Sequence, residues 1–463
     1  MHVRRRVCLT GVFAVLAMTL LAAEAQAYVP GDLIWAKKVG TATSPAGTTI
    51  SATSGHNVAA GPNGTTVVAG WKIADPPGIV PFVAKYNALG ERKWLRRYLD
   101  VAGWANAVAV DKNGNIYVAA RLLATSDDIG LLKYGSDGTL RWARSYDGAA
   151  ADEDEPLALV IDHAQNVVVV GRSYAENGRQ GIVVLKYLPN GALAWPGVRY
   201  DSDPADDDAD SPFATAVAVD GDDNIYVTGW SQYWVDGVFT SSALTLKFAA
   251  DDGEQRWARL YEARNNAHSY AHEMTVRGTT LVITGSTEGD PGQSDGLVVR
   301  YSLIGTEKYW KEWGAGNDLD EGLGGVKLDA DGNIFVTGYQ ALYTPDGYSK
   351  AVTMKLDPSF RTIWKQTYLP PTSAAQGWSL VRDGVGNVYV SGVRRSSDGY
   401  DDFLTMKYAP TGVRRWLRTW SGGGPGDDVP GGLVLSTTGG VHVGGETSAA
   451  DDFRQAVILK YQQ

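Results

Sequence analysis

From about residue 54 onward the chain is a succession of short apolar runs separated by clusters of Gly, Asp, Asn and Ser. Turn signals return about every 8–12 residues, the rhythm of an all-β chain, and no segment sustains the period of a long amphipathic helix. One phrase recurs: a small-apolar strand, an Asp/Gly/Asn turn, then an aromatic or β-branched strand closing on Gly. Its clearest copies run from Ala107 through Val118 and from Ala216 through Val227. The closing position falls at Gly70, Ala120, Gly171, Gly229, Gly285, Gly338, Gly392 and Gly445, at intervals of 50, 51, 58, 56, 53, 54 and 53 residues. A period of that length marks a repeat architecture.

Each copy continues into a third apolar run that ends in a basic residue, usually followed by an aromatic one, as in Lys85-Tyr86, Lys186-Tyr187, Lys407-Tyr408 and Lys460-Tyr461. A short turn, usually with Gly, leads to a fourth strand opening with Trp94, Trp142, Trp195, Trp257, Tyr309, Trp364 or Trp416. In the sixth copy Phe360 stands where the turn glycine belongs. The eighth copy stops at Gln463 with no fourth strand, and residues 33–39 read as that strand with nothing before it. The pattern therefore predicts a single β-propeller of eight four-stranded blades, closed by the N-terminal strand completing the last blade. The copies lie near 54–98, 103–146, 154–200, 211–261, 271–313, 320–368, 375–420 and 427–461, within one domain from 28 to 463. The repeated Trp is expected to fill the wedge between neighbouring blades.

These residues resemble the bacterial β-propeller repeat family known as SBBP repeats. The match is best at Asp329 to Gly338, Asp383 to Gly392 and Asp402 to Trp416. The resemblance implies an exported or surface-associated propeller, brings no catalytic residues, and implies seven blades where eight copies are counted. A more distant similarity, of architecture only, is to the eight-bladed quinoprotein propellers, whose adjacent cysteine pair is absent here.

Arg4, Arg5 and Arg6, an apolar run from Val7 to Ala23 and Ala25-Gln26-Ala27 predict a secretory signal peptide over residues 1–27. Its loss removes Cys8, the one cysteine of the 463 residues, so no disulfide or cysteine–metal site is expected. Losing three arginines and Glu24 takes the net charge from −10 to −12. That sign argues against nucleic acid as a partner, and no later segment reads as a transmembrane span. Export to the periplasm, the cell surface or the medium is the expected localisation.

In a meander blade, the first-to-second and third-to-fourth turns leave one face, here short and repetitive. The second-to-third loops and blade crossings leave the other, here long and irregular, and recognition is expected on that face. It carries Trp230, Tyr233, Trp234, Tyr343, Tyr348 and Tyr400 beside Asp401 and Asp402. Acidic runs at 152–155 and at Asp203, Asp206, Asp207, Asp208 and Asp210 accompany them, the second being the candidate calcium site. The Asp-x-x-Gly phrases resemble calcium loops but are expected to be Asx turns, because a strand follows at once. His268 and His272 have a metal-like spacing that would need a helix.

No nucleophile elbow, phosphate loop or dinucleotide fingerprint appears. The leading expectation is thus a non-enzymatic exported scaffold binding a protein or surface glycan through the loop-rich acidic face. The alternatives are a polysaccharide lyase or hydrolase using Asp203–Asp210 or Asp401 and Asp402, and a calcium-stabilised repeat protein. No organic cofactor is expected, and the sequence leaves oligomeric state open.

Overall fold

The computed structural model describes residues 30–39, 50–51, 57–74, 78–124, 126–150, 152–201, 211–235, 238–263, 267–288, 293–314, 320–342, 348–371, 374–448 and 454–463. Among them, eight antiparallel sheets form an eight-bladed β-propeller, and the one helical element is a single 3-10 turn, Pro62–Gly64. Blade 1 contains Val58–Ala60, Thr66–Ala74, Gly78–Tyr86 and Arg92–Arg97, with Ile50–Ser51 extending its second strand's pairing. Blades 2 to 7 span 102–146, 155–200, 211–261, 269–313, 321–368 and 375–420. Blade 8 is composite: Asp428–Leu435, Gly440–Ser448 and Arg454–Gln462 are completed by Leu33–Lys38. Its closing register sets Trp35 opposite Lys460 and Lys38 opposite Val457. Residues 1–27, where a signal peptide is expected, lie outside the described residues.

Middle strands are apolar on both faces because each sheet is sandwiched between two others. Val67, Val68 and Ala69 are fully buried in succession, as are Val167 to Val170. Outer strands face solvent on one side and read as alternating polar and aromatic residues, such as Arg92-Lys93-Trp94-Leu95-Arg96.

Blades dock by a single repeated contact. The outer-strand Trp of one blade lies flat on the turn glycine of the next, so that a Cβ on Gly138 would sit 2.7 Å from the Trp94 ring. That glycine also holds a φ of +81°, which side chains other than Gly adopt rarely. The indole of Trp94 donates to the Ser136 carbonyl at 3.2 Å, and Lys85 of the same blade donates to that same oxygen at 3.0 Å. Arg96 then donates to the Gly138 carbonyl at 2.8 Å. Trp142, Lys133 and Arg144 repeat this on Pro189 and Gly191, and Trp257, Lys247 and Arg259 on Leu303 and Gly305. The recurring basic and Trp positions are therefore parts of one inter-blade clamp. The exceptional pair is self-consistent: Phe360 replaces the glycine where Tyr309 replaces the Trp, and the rings meet edge to face at 6.1 Å.

The same clamp closes the circle. Trp416 of blade 7 packs on Gly31, and Trp35 of blade 8 packs on Gly90 of blade 1. Trp35 also stacks on Tyr86 and meets the His442 ring at 6.0 Å. His442 is wholly buried, and its Nδ1 lies 2.6 Å from the Thr66 hydroxyl of blade 1.

Candidate binding surface on the loop-rich face

The innermost strands do not alternate regularly. Each pairing in blades 2 to 8 carries a bulge at a common level, at Asn106, Leu157, Thr215, His272, Gly324-Gly325, Trp378 and Gly431. A bulge adds one residue to one strand and re-aims side chains, a device common at barrel rims and active sites. Here it also stitches the ring. Asn106 donates to the Pro156 carbonyl at 2.9 Å and Thr215 to that of Ala271 at 2.9 Å. His272 Nδ1 lies 3.3 Å from the Leu323 oxygen, so that nitrogen carries the proton. Burial pushes the His272 imidazole below its ordinary value in spite of that hydrogen bond, and keeps it neutral. His268 and His272 lie on a strand and its approach, and do not meet as metal ligands.

Above the bulges, toward the long loops, blades 4 and 5 assemble a strip of rings. Blade 4 has an extended hairpin, Ile225–Val235 with Val238–Phe248, whose strands are 11 residues each. Alternation along it puts Trp230 and Trp234 on one face, with Phe239 opposite Trp234. Phe213 stacks on Trp230 with centroids 4.7 Å apart, and Trp230 meets Tyr270 edge-on at 5.6 Å. Tyr270 stacks on His268 at 6.2 Å, His268 meets Phe239 at 6.1 Å, and Phe239 meets Trp234 at 5.6 Å. The last two are exposed, Trp234 by 47% and Phe239 by 42%. Polar groups flank the strip: Ser241 lies 3.2 Å from His268 Nδ1, and the Glu288 carboxylate lies 4.0 Å from its Nε2.

Of the sequence candidates, Trp230 and Trp234 join this strip, while Tyr233 turns to the other face of the hairpin and bonds Ser242. Tyr348 and Tyr400 sit on the hairpins of blades 6 and 7, apart from it, and Tyr343 lies outside the described residues. Phe213, Phe239, His268 and Tyr270 belong to the strip although the residue pattern did not single them out as ligand-face residues. Asp401 and Asp402 are held in ion pairs across their own hairpin, with Arg395 at 3.5 Å and Arg394 at 3.0 Å. Burial raises both carboxyls above the usual carboxylate range against the pull of those arginines.

The acidic run at 152–155 is likewise engaged. Glu153 and Glu155 pair with Arg172 at 3.1 and 3.0 Å, and Arg121, over the Trp104 ring, reaches Asp127 and Glu153. Asp154 accepts from the Gly148 amide and pins the preceding crossing. The Asp-x-x-Gly phrases are Asx turns: Asp111 accepts from the amides of Asn113 and Asn115 at 2.9 and 2.8 Å and from the Asn115 side chain at 2.7 Å. Asp220, Asp329 and Asp383 repeat this. Among the described residues no three His, Cys, Asp or Glu side chains converge as a metal group. The calcium candidates Asp203, Asp206, Asp207, Asp208 and Asp210 lie outside the described residues. No helix of the described residues is long and apolar enough to cross a membrane.

No protein-family model matches the chain, and no curated protein matches it in sequence, so the likeness to SBBP repeats rests on the quoted residues alone. Solved structures similar in fold include the polysaccharide lyase Uly1, 10% identical, with a TM-score of 0.49 over 77% of this chain and 90% of that one. The WD40 domain of SCAP from fission yeast is 10% identical, with a TM-score of 0.44 over 92% of this chain and 98% of that one. The α-L-arabinanase of Penicillium chrysogenum, in complex with arabinobiose, is 8% identical, with a TM-score of 0.43 over 66% and 93%. The likeness is one of propeller architecture.

Proposed function

We propose that the protein is an exported, non-enzymatic propeller that binds a glycan along the ring strip of blades 4 and 5. The observation that carries this reading is the run Phe213–Trp230–Tyr270–His268–Phe239–Trp234, which ends in two exposed rings on a raised hairpin. Exposed apolar patches rimmed by polar groups mark interaction sites. A narrow strip of aromatic rings flanked by a hydroxyl, an imidazole and a carboxylate suits a pyranose chain, whose C–H faces stack on rings while its hydroxyls seek polar partners. The rigid ring of blades holds these side chains in place before the ligand arrives, which lowers the ordering cost of binding. Asp401 and Asp402, bound to arginines across one hairpin, support a scaffold more than a glycosidase pair.

Isothermal titration against a panel of neutral and acidic oligosaccharides tests the reading. Trp234→Ala with Phe239→Ala is expected to weaken binding by about tenfold or more, at about 0.5–1.5 kcal/mol per ring contact, with the β circular dichroism unchanged. Absence of saturable binding across the panel, or equal affinity in parent and double variant, refutes it. Saturable binding to an envelope protein in place of a glycan refutes the ligand class. Catalytic turnover lost in Asp401→Asn or Asp402→Asn refutes the non-enzymatic assignment.

A further inference from the structure

The opposite face of the ring has a different chemistry. There the first-to-second strand turns surround the channel mouth, and two adjoining cavities of about 580 Å³ each open between the inner strands of blades 2 to 8. They share Thr275, Val276 and Lys327, so they form one continuous mouth. Four cations from four blades line it: Lys112, Arg277, Lys327 and Arg382. Three carboxylates share the lining, Asp162, Glu273 and Asp383, so the cations outnumber them by one.

The repeated third-strand lysines serve the blade clamp, and Arg121 and Arg172 are held by carboxylates. Among the described residues no ion pair engages Lys112, Arg277, Lys327 or Arg382. The three carboxylates make contacts of their own, and only Asp162 is ion-paired. Asp162 lies 3.0 Å from Lys186 and accepts from Asn166. Asp383 serves its own turn and the Tyr389 hydroxyl, and Glu273 accepts the Met274 amide at 3.1 Å. Arg382 is also positioned, with its guanidinium 4.9 Å over the Phe335 ring. Between the charges the wall mixes valines, such as Val217, Val276 and Val381, with the polar Thr275 and Gln165.

We propose that this mouth binds a compact organic polyanion, one molecule per chain, with carboxylate, sulfate or phosphate groups spread around an uncharged body. Cations on separate blades engage several anionic groups at once, and the mixed wall of valines and polar side chains accepts the body between them. The volume is that of ordinary small-molecule sites. The site is distinct from the ring strip and does not depend on the glycan reading.

Titration with sucrose octasulfate and with citrate tests it, with sucrose as the uncharged control. At least one polyanion is expected to bind saturably at one per chain, while sucrose does not. The relative affinity of the two probes distinguishes sulfate from carboxylate ligands. Arg277→Gln with Lys327→Gln is expected to weaken binding by at least about tenfold, since charge-assisted hydrogen bonds are the strong ones. Lys112→Gln gives an independent check at an exposed residue. Lys93→Gln, on an exposed outer strand, controls for general charge, and Trp234→Ala with Phe239→Ala is expected to bind as the parent does. The proposal is overturned if neither polyanion saturates, if Lys93→Gln weakens binding as much as the channel variants, or if the channel variants bind unchanged.

Discussion

Trp35→Ala is expected to destabilise the protein by roughly 3–5 kcal/mol, the range for removing a large buried aromatic, and to loosen it at one seam. Trp35 fixes the closing strand on Gly90 and Tyr86 of blade 1 and lies against His442 of its own blade. That six-residue strand is held to the C-terminal run by five paired residues. Trp94→Ala is the matched comparison. It removes the same contact between blades 1 and 2, where the chain runs directly from one blade into the next. Native-state amide exchange separates the two. In Trp35→Ala, protection is expected to fall together at 33–38 and 454–462; in Trp94→Ala the loss stays near its own contact. Equal and local losses in both variants would show that closure is no weaker than any other junction.

Mild acid is expected to attack the same seam. His442 is buried between Trp35, Thr66 and Lys460, and burial, with Lys460 adding to it, lowers its pKa from 6.5 to about 3. The unfolded chain takes up a proton near 6.5 and the folded chain only near 3. Stability is therefore complete above the higher value and falls as pH drops between the two, by about 1.4 kcal/mol per unit once the unfolded chain is protonated. By pH 5 this amounts to roughly 2 kcal/mol. His272, also pushed down by burial, adds a decline of the same sign. The buried carboxyls Asp154, Asp401, Asp402 and Asp428 are pushed up and act oppositely, favouring the folded state more as they protonate at lower pH. Because the carboxyls are common to both proteins, comparing the parent with a His442 variant between pH 6.5 and 5 cancels their contribution. Denaturant unfolding of His442→Leu across that range is expected to show a slope about one proton shallower than the parent. Identical slopes would mean that His442 titrates normally in the fold.

The architecture was legible because one clamp serves nearly every junction. Lys, Gly and Trp recur at fixed spacing since each blade offers its neighbour the same carbonyls, and Leu33–Lys38 stood out as a fourth strand without a blade. The ring strip was half legible. Trp230 and Trp234 were visible as aromatics in a long hairpin, but Phe213 joins them through the register of its own blade, and His268 and Tyr270 come from the next blade. The bulges hid in an apparent alternation, although each falls five residues before the turn residue, as Asn106 does before Asp111 and His272 before Arg277. His442 read as an ordinary strand residue because its partner Thr66 lies 376 positions away. The partners of Glu153, Asp401 and Asp402 were not legible, because Arg121, Arg172, Arg394 and Arg395 reach them only through the strand register.

The Phe360–Tyr309 exchange bears on how such a ring can be built or rebuilt. Elsewhere the junctions are interchangeable parts, an indole seated on a bare backbone. Blade 6 presents a benzyl group at φ +62° where its neighbour's ring must land, and blade 5 carries the smaller aromatic that tolerates it. A gene duplication, chimera or designed insertion that copied either blade alone would set a Trp against Phe360 or leave Tyr309 over an empty glycine. Those two modules can be transplanted only as a couple, which gives an otherwise repetitive molecule one fixed point in its order.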